Sequence, residues 1–164
     1  MITIETLIPD NKGNHLVVVL YFYDNTNKIN AFQIPPEFHD IEIADININK
    51  LDLEKPLGLA ALNKMCDWLI EQFLLYPNSV FSFICSLEPL ENYHHQLSPE
   101  KYRWNLFDIL FQRNLSKLKK FGIHSKNIIV GKDPYQTDAR VFYRDKHAPI
   151  VYIVESHIKE KYRD

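Results

Sequence analysis

The sequence predicts a single α+β domain over residues 1–164, with a largely antiparallel sheet packed against two main helices. Three observations indicate this fold class. The length of 164 residues is that of one ordinary domain. The composition, with 46% hydrophobic and 24% charged residues, is typical of a folded globular chain. The first fifty residues have the character of strands, whereas the spacing of a helix begins near Leu59.

The N-terminal residues predict a meander of strands joined by turns. Ile2–Ile8 and His15–Tyr23 are rich in β-branched and aromatic residues, and turn-forming residues separate them. A third strand is predicted over Ile29–Ile34, and it ends there because Pro35 and Pro36 cannot continue inside a sheet.

The last strand of this N-terminal group is predicted over Asp40–Asn49. Its isoleucines alternate up to Ile43 and resume one residue out of phase at Ile46. A bulge near Ala44 and Asp45 reconciles the two halves. Three acidic residues are interpreted as the solvated face of an edge strand: Asp40, Glu42 and Asp45.

Two helices and a short strand are predicted next. The first helix covers residues 58–76, where the apolar side chains fall on one face and a Pro-Asn pair follows. Ser79–Ser86 is a short buried strand. The second helix covers Ser98–Lys120, because Ser, Pro and Glu begin it and Gly122 can end it in the left-handed conformation.

The C-terminal residues predict three more strands and a charged tail. The strands cover Asn127–Val130, Ala139–Arg144 and Pro149–Val154. The last two form a predicted hairpin through Asp145–His147, and Lys159–Asp164 is the tail.

Several function classes lack their sequence signatures. The four glycines are too far apart to form a phosphate-binding loop of the P-loop or dinucleotide type. No spacing of Cys and His predicts a metal site, and neither a cofactor nor a catalytic residue is predicted. Cys85 precedes His94 and His95 but is interpreted as a packed strand residue rather than a nucleophile.

The sequence also predicts where the protein resides. Cys66 and Cys85 each lie in an apolar run, which favours buried thiols in a reducing compartment. The N-terminus has no signal-peptide pattern, and no apolar run approaches the length of a membrane span. We therefore expect a cytoplasmic protein without a membrane partner.

The leading functional hypothesis is a non-catalytic protein-binding module. Between Tyr102 and Phe111, seven of ten residues are large and apolar, and they spread over about 220° of a helix, far more than one core stripe needs. The structural alternative is a helix covered on both sides by its own chain. The predicted surface for a protein partner or a second copy consists of three aromatic residues: Trp104, Phe107 and Phe111. An antitoxin, an immunity protein or a small defence-system subunit fits this hypothesis.

The alternative hypothesis is nucleic-acid binding by the basic C-terminal part. Residues 1–100 carry 14 acidic against 5 basic side chains, whereas residues 101–164 carry 7 against 14. On one face, such basic residues neutralise phosphates. The candidates are Arg113, Lys117, Lys119, Lys120, Lys126, Arg140 and Arg144.

Two resemblances accompany these patterns. The segments 76–81, Tyr-Pro-Asn-Ser-Val-Phe, and 103–107, Arg-Trp-Asn-Leu-Phe, resemble families of small uncharacterised bacterial α+β proteins. The element order, a meander, a helix, a strand, a second helix and further strands, is similar to the GNAT acetyltransferase fold. That fold binds coenzyme A pyrophosphate with a Gln/Arg-x-x-Gly-x-Gly/Ala turn at a helix start, and the residues before Leu59 and Pro99 do not match it. This resemblance implies an acyltransferase as a further alternative.

Overall fold

The structure is a computed structural model that describes seven stretches of the chain. They are residues 2–24, 26–27, 34–52, 54–55, 59–84, 109–130 and 137–161. The predicted strand Ile29–Ile34, except Ile34 itself, and residues 85–108 of the predicted strand, loop and second helix lie outside them.

Six strands form one mixed sheet, in the order β1-β2-β3-β4-β6-β5. Strands β1, β2 and β3 form an antiparallel meander, β5 and β6 pair as antiparallel neighbours, and β3 and β4 are parallel. The predicted α+β class with a largely antiparallel sheet is confirmed. The strands are β1 (Ile2–Pro9), β2 (His15–Phe22), β3 (Glu42–Lys50), β4 (Ser79–Ile84), β5 (His124–Val130) and β6 (Thr137–Tyr143).

Helices cover both faces of this sheet. They are α1 (Leu59–Leu75), α2 (Leu115–Lys120) and α3 (Ala148–Lys161), with a further helical turn at 109–113 and 3₁₀ turns at Pro36–Phe38 and Asp145–His147. We call the side that carries α1 the first face and the opposite side, which carries α3, the second face. Because β3 and β4 are parallel, the chain between them must cross over the sheet, and α1 is that crossover.

The core of the first face lies between α1, α2 and the sheet. Apolar residues of α1 recur at helical spacing, and alternate residues of β2 pack against them. These side chains include Leu62, Met65, Cys66, Leu69 and Phe73 of α1, Leu16, Val18, Leu20 and Phe22 of β2, and Leu118 of α2.

The core of the second face corrects the prediction for Pro149–Val154. That segment is the start of α3 and not a strand, and the predicted hairpin is absent because Asp145–His147 is a 3₁₀ turn that leads into the helix. Its β-branched residues favour a strand locally, but the apolar residues keep helical spacing as far as Ile158 and cover the sheet. The buried residues of α3 are Ile150, Val151, Val154 and Ile158.

The predicted bulge in β3 is wrong. Pairing with β2 runs without interruption from Leu16–Lys50 to Phe22–Ala44. The apolar phase changes because Ile43 packs in the core of the second face and Ile46 in that of the first. Both faces of β3 are covered at this point, so consecutive residues must be apolar.

The second predicted helix also differs from the structure within its described residues. The helix is interrupted at Asn114, whose side-chain amide donates a 2.8 Å hydrogen bond to the carbonyl oxygen of Leu110. It resumes as α2, which ends at Lys120, and Gly122 beyond it has the predicted left-handed backbone with φ of 68°.

Candidate active site at the fork between β3 and β4

The described pairing of β3 with β4 ends in the middle of the sheet, and the residues that follow Ile84 lie outside the described ranges. The two strands pair from Glu42–Ser79 to Ile46–Phe83, but β3 continues to Lys50 beside β2. We call the place beyond the Ile46–Phe83 pair the fork. A fork in the centre of a sheet leaves backbone groups that an extended ligand can reach.

The pairing pattern identifies the backbone group that points into the fork. Tyr23 N–H donates to the Ile43 carbonyl oxygen at 2.9 Å, and Leu51 N–H donates to the His15 carbonyl oxygen at 2.9 Å. In an antiparallel ladder, alternate residues point towards the same neighbour. Ile48 is out of step with both Ile43 and Leu51, and it therefore points its N–H and C=O away from β2. Within the described part of the chain, no strand residue is paired with it on that side.

A carboxylate held by two hydroxyl groups lies beside the fork on the second face. Tyr23 Oη donates a hydrogen bond to Oδ2 of Asp45, and Ser82 Oγ donates one of 2.5 Å to Oδ1. Asp45 and Tyr23 are half-buried and Ser82 is buried. Each carboxylate oxygen keeps a further lone pair, so the oriented group can still accept a proton or a donor from a ligand.

The segment that follows β3 is fastened by one buried amide. Asn14, which is 1% exposed, donates from Nδ2 to the carbonyl oxygens of Asp52 and Lys55 at 3.0 and 2.9 Å. Its Oδ1 accepts from the N–H groups of His15 and Asp52 at 2.8 and 3.1 Å. The turn between β1 and β2 thus positions the chain that leads to the start of α1.

That segment contains a signal that the sequence analysis missed. Residues 55–60 read Lys-Pro-Leu-Gly-Leu-Ala, which has the spacing of the Gln/Arg-x-x-Gly-x-Gly/Ala turn and departs from it only by Lys55. It directly precedes and enters α1, so its position at a helix start is also that of the turn. Residues 56–58 lie outside the described ranges.

Sequence reasoning missed Asp45 for a different reason. Its acidic neighbours suggested an edge strand, but β3 is an interior strand of the sheet. Glu42 and Asp45 also lie on opposite faces, because their positions in the strand differ by three, an odd number. A carboxylate in mid-strand between buried isoleucines was the available signal.

An apolar pocket adjoins the fork on the first face. It is small, with a cavity volume of about 30 Å³, and lies between the sheet and the helices. Ile46, the last β3 residue paired with β4, is part of its wall, and Cys66 of α1 is another part. Burial raises the pKa of the Cys66 thiol to about 12, so the thiol is neutral and unsuited to nucleophilic attack.

The aromatic surface predicted for a protein partner is described at one residue. Phe111 is 6% exposed, and its ring lies 4.9 Å from that of Phe142 in the core of the first face. The Phe111 side chain is therefore part of the core and does not present a surface. Trp104 and Phe107 lie outside the described residues.

Two of the predicted phosphate-binding residues are occupied within the fold. Arg140 is 4% exposed, with its guanidinium 5.0 Å from the centre of the Phe111 ring. Arg144 donates to the carbonyl oxygens of Phe73 and Tyr76 at 2.5 and 3.3 Å. These interactions stabilise the end of α1 and the packing of β6.

The other predicted basic residues divide between the two faces. Lys126 pairs with Glu155 of α3 at 2.5 Å on the second face, whereas Lys117 pairs with Asp67 of α1 at 2.5 Å. Three further candidates are exposed near α2: Arg113, Lys119 and Lys120. The seven residues therefore do not form one basic surface.

The described residues contain neither a metal site nor a membrane-spanning helix. No group of three or more His, Cys, Asp or Glu side chains there is placed to hold a metal ion. No helix in the same ranges has both the length and the apolar character required to cross a bilayer.

No model of a known protein family matches the chain, and no curated protein matches it. The geometry of the chain itself therefore carries the functional argument.

Proposed function

We propose that this protein transfers an acyl group from a coenzyme A thioester to an amine. The observation that carries the proposal is the Asp45 carboxylate, which Tyr23 and Ser82 hold beside the end of the described β3–β4 pairing. A clamped carboxylate, a backbone group directed away from β2 and the segment that leads into α1 all belong to β3 or follow it directly. The element order, meander, helix, strand, helix and strands, supports the same class through its resemblance to the GNAT fold.

The fork supports binding of the central arm of coenzyme A. That arm is extended and carries amide groups, which pair with a strand edge in the same way as a peptide does. The N–H and C=O of Ile48 are the groups we assign to this pairing. The hydrogen bonds that these two Ile48 groups form with the coenzyme amides fix the depth to which the thioester enters the fork.

The segment before α1 supports binding of the pyrophosphate. Backbone N–H groups at a helix start attract phosphate, and a glycine allows close approach. Lys55 adds a positive charge, and Asn14 holds its backbone in place. A coenzyme with a free thiol also fits the reducing, cytoplasmic compartment that the sequence predicts.

Asp45 is the group that we assign as general base. The amine nitrogen attacks the thioester carbonyl carbon, the C–N bond forms and the C–S bond breaks. The amine proton passes to the Asp45 carboxylate, and the protonated Asp45 then gives it to the leaving thiolate, which restores the carboxylate and forms the coenzyme thiol. Tyr23 and Ser82 are positioning residues, because they orient the two carboxylate oxygens.

Calorimetric titration with acetyl-CoA tests the binding step. We expect saturable binding to the wild type and about three- to tenfold weaker binding to Lys55→Ala, because one charge–phosphate contact is lost. Lys12→Ala is the matched control, since Lys12 is exposed in the turn between β1 and β2. Absence of heat at millimolar coenzyme would overturn the proposal.

Release of the coenzyme thiol in the presence of a panel of amines tests the chemical step. Asp45→Asn should bind acetyl-CoA normally and release thiol about 10²- to 10⁴-fold more slowly, because it removes the proton acceptor. Glu42→Gln, on the same strand but on the opposite face, should behave as the wild type. Equal rates in the two variants would contradict the role of Asp45.

A second candidate is protein binding by the segment 109–121, in the antitoxin, immunity or defence-subunit role that the sequence suggests. Three large apolar side chains of this segment are exposed: Ile109, Leu115 and Phe121. Such side chains are typical of an interface when they adjoin one another. Sedimentation velocity tests for a second copy as partner. Protein binding by this segment predicts dimers that form as the concentration rises. The double substitution Ile109→Ser and Phe121→Ser should abolish them, whereas Leu51→Ser should keep them.

A further inference from the structure

Strand β1 is an outermost strand of the sheet, because β2 is its one neighbour among the described strands. Its eight residues pair with β2 without a bulge, and Glu5 is the single charged side chain among them. The opposite outermost strand, β5, carries Lys126, which pairs with Glu155 of α3. Lysines, bulges and covering helices are the usual protection of a sheet edge. Strand β1 has no lysine and no bulge, so it is the edge that is open to a further strand.

The hydrogen-bond pattern identifies the backbone groups on this open edge. Asp10 N–H donates to the Asn14 carbonyl oxygen at 2.9 Å, so the backbone of Asp10 points towards β2. In an antiparallel pair, alternate residues point towards the same neighbour. The odd-numbered residues of β1 therefore direct their N–H and C=O groups away from β2. Three of these residues have both groups: Thr3, Glu5 and Leu7.

The side chains of the open edge are accessible to solvent. Thr3 and Glu5 are exposed, and Leu7 keeps 52% of its surface exposed. The even-numbered residues lie on the first face, where Ile8 belongs to the core and Ile4 packs against it. A strand added to this edge would therefore extend the apolar first face and cover Leu7 on the second.

We propose that β1 pairs antiparallel with β1 of a second copy, about a twofold axis through Thr6, so that the two sheets continue as one. A twofold axis places the same residue of each copy opposite itself. An axis through Glu5 would set two carboxylates directly opposite one another, which is unfavourable. An axis through Thr6 sets two hydroxyl groups there instead, and Glu5 of each copy then faces Leu7 of the other.

The open backbone groups match in this arrangement. Glu5 and Leu7 of one copy exchange N–H···O=C bonds with Leu7 and Glu5 of the second copy. The N–H of Thr3 donates to the carbonyl oxygen of Pro9 in the second copy. Pro9 has no N–H group, so none is left unpaired at this end of the strand.

The side chains of the first face are also self-complementary. Ile4 of one copy faces Ile8 of the second copy in a pair without backbone hydrogen bonds, in which side chains approach most closely. Because both isoleucines contact the first-face core, the cores of the two copies adjoin. An axis through Ile4 or Leu7 would leave fewer residues of the two strands paired. This match of β1 to itself is the reason to assign a second copy as the partner.

Sedimentation velocity of the full-length protein between about 1 and 300 µM tests the inference. We expect a monomer–dimer equilibrium in the wild type. Leu7→Lys should tighten the dimer about two- to thirtyfold, because it forms two opposite-charge pairs with Glu5 of the other copy. Leu7→Glu should weaken it by a similar factor, since two pairs of carboxylates then face one another. Ile129→Ser is the matched control, because Ile129 is an exposed apolar residue of the opposite edge strand.

A further variant tests the backbone pairing. The N–H of Leu7 points away from β2, so Leu7→Pro should leave the pairing of β1 with β2 intact. It should weaken the dimer about five- to hundredfold, because two hydrogen bonds are lost. Hydrogen exchange of the wild type needs no variant. The amides of Glu5 and Leu7 should become more protected as the concentration rises, whereas those of Ile4 and Thr6, which point towards β2, should not change.

The outcomes separate this inference from the others. A wild type that stays monomeric over the whole range overturns it, and so do dimers that Leu7→Lys and Leu7→Glu affect alike. Dimers that persist in all three Leu7 variants but disappear in the double substitution Ile109→Ser and Phe121→Ser also overturn it, because they place the interface in the segment 109–121. None of these results bears on acyl transfer, which this inference does not require.

Discussion

Arg144 follows β6 and reaches the carboxyl end of α1, where it donates hydrogen bonds to the carbonyl oxygens of Phe73 and Tyr76. Its guanidinium also lies 4.0 Å from the centre of the Phe73 ring. The last carbonyl groups of a helix have no partner within the helix, and they carry the negative end of its dipole. The Arg144 side chain therefore joins the end of β6 to the end of α1.

Replacing Arg144 with Ala should lower the free energy of unfolding by about 1–3 kcal/mol, because two carbonyl oxygens lose a charged donor. Urea unfolding measures this change. Lys119→Ala is the control and should stay within about 0.5 kcal/mol of the wild type, since Lys119 is exposed. Equal stability of the two variants would show that Arg144 is not structural.

His147 is a buried titratable group between β6 and α3. It is 3% exposed, and its Nδ1 has no hydrogen-bond partner among the described residues. Burial lowers its pKa below the usual 6.5, and the charges of Lys146 and Arg144 act in the same direction. The folded protein therefore holds this imidazole in the neutral form.

Stability should fall as the pH decreases below 6.5, because the unfolded chain then binds a proton that folded His147 resists. The loss from this one group is at most about 1.4 kcal/mol per pH unit, and the group contributes no pH dependence well above 6.5. Urea midpoints between pH 5 and 8 measure it. His147→Gln should flatten the acid side of the profile, whereas the exposed control His124→Gln should retain it.

At the residue scale, the sequence predicted the environment of some single residues but not which distant residues they contact. The buried thiol character of Cys66 could be predicted, because it lies within an apolar helical pattern. The partners of Asp45 could not, since Tyr23 and Ser82 are distant in sequence and meet it only through strand pairing. That Arg140 is buried and Arg144 half-buried could also not be predicted from their charge.

At the scale of elements, the end of α2 depends on the glycine that lies just beyond it. Gly122 follows this six-residue helix with φ of 68°, and an added Cβ would meet no atom within 4 Å. A side chain there is opposed by the backbone conformation rather than by a neighbour.

Gly122→Ala should therefore reduce the free energy of unfolding by about 1–2 kcal/mol. Thermal unfolding followed by circular dichroism measures the loss. Gly122→Asn should lose less, because Asn tolerates the left-handed region better than Ala. An unchanged melting temperature in Gly122→Ala would mean that the end of α2 rearranges freely.

Most described elements could be predicted from local pattern, and α3 could not. Strands β1 and β2 and helix α1 have turn formers or proline at their ends and a clear apolar period. In α3 the β-branched run Ile150–Val154 outweighed the weaker helical spacing that continues to Ile158. Burial against the second face of the sheet decided the conformation of that segment.

At the scale of the whole molecule, the sheet separates the basic residues that the sequence brings together. Lys126 is on the side of α3, and Lys117 is on the side of α1. Among the seven candidates, three are exposed and form no ion pair with another described residue: Arg113, Lys119 and Lys120.

Nucleic-acid binding should consequently be weak and only mildly dependent on salt. Three phosphate contacts give a slope of about −3 in a plot of log affinity against log salt concentration, whereas seven would give about −6. Fluorescence anisotropy with a labelled DNA duplex measures the slope. The salt concentration is varied from about 50 to about 200 mM, the range over which the affinity of phosphate-binding proteins changes strongly. A slope near −6 would restore the nucleic-acid hypothesis.

The hydrogen bonds of Asn14 have a consequence for the order of folding. They join positions 38 and 41 residues apart in the chain, so Asp52 and Lys55 reach these positions only after the first hairpin has closed. Local melting of that hairpin would release the loop while α3 and its half of the sheet persist. The amide protons of the first hairpin and those of Asp52 and Lys55 should then exchange with solvent together, as one cooperative unit.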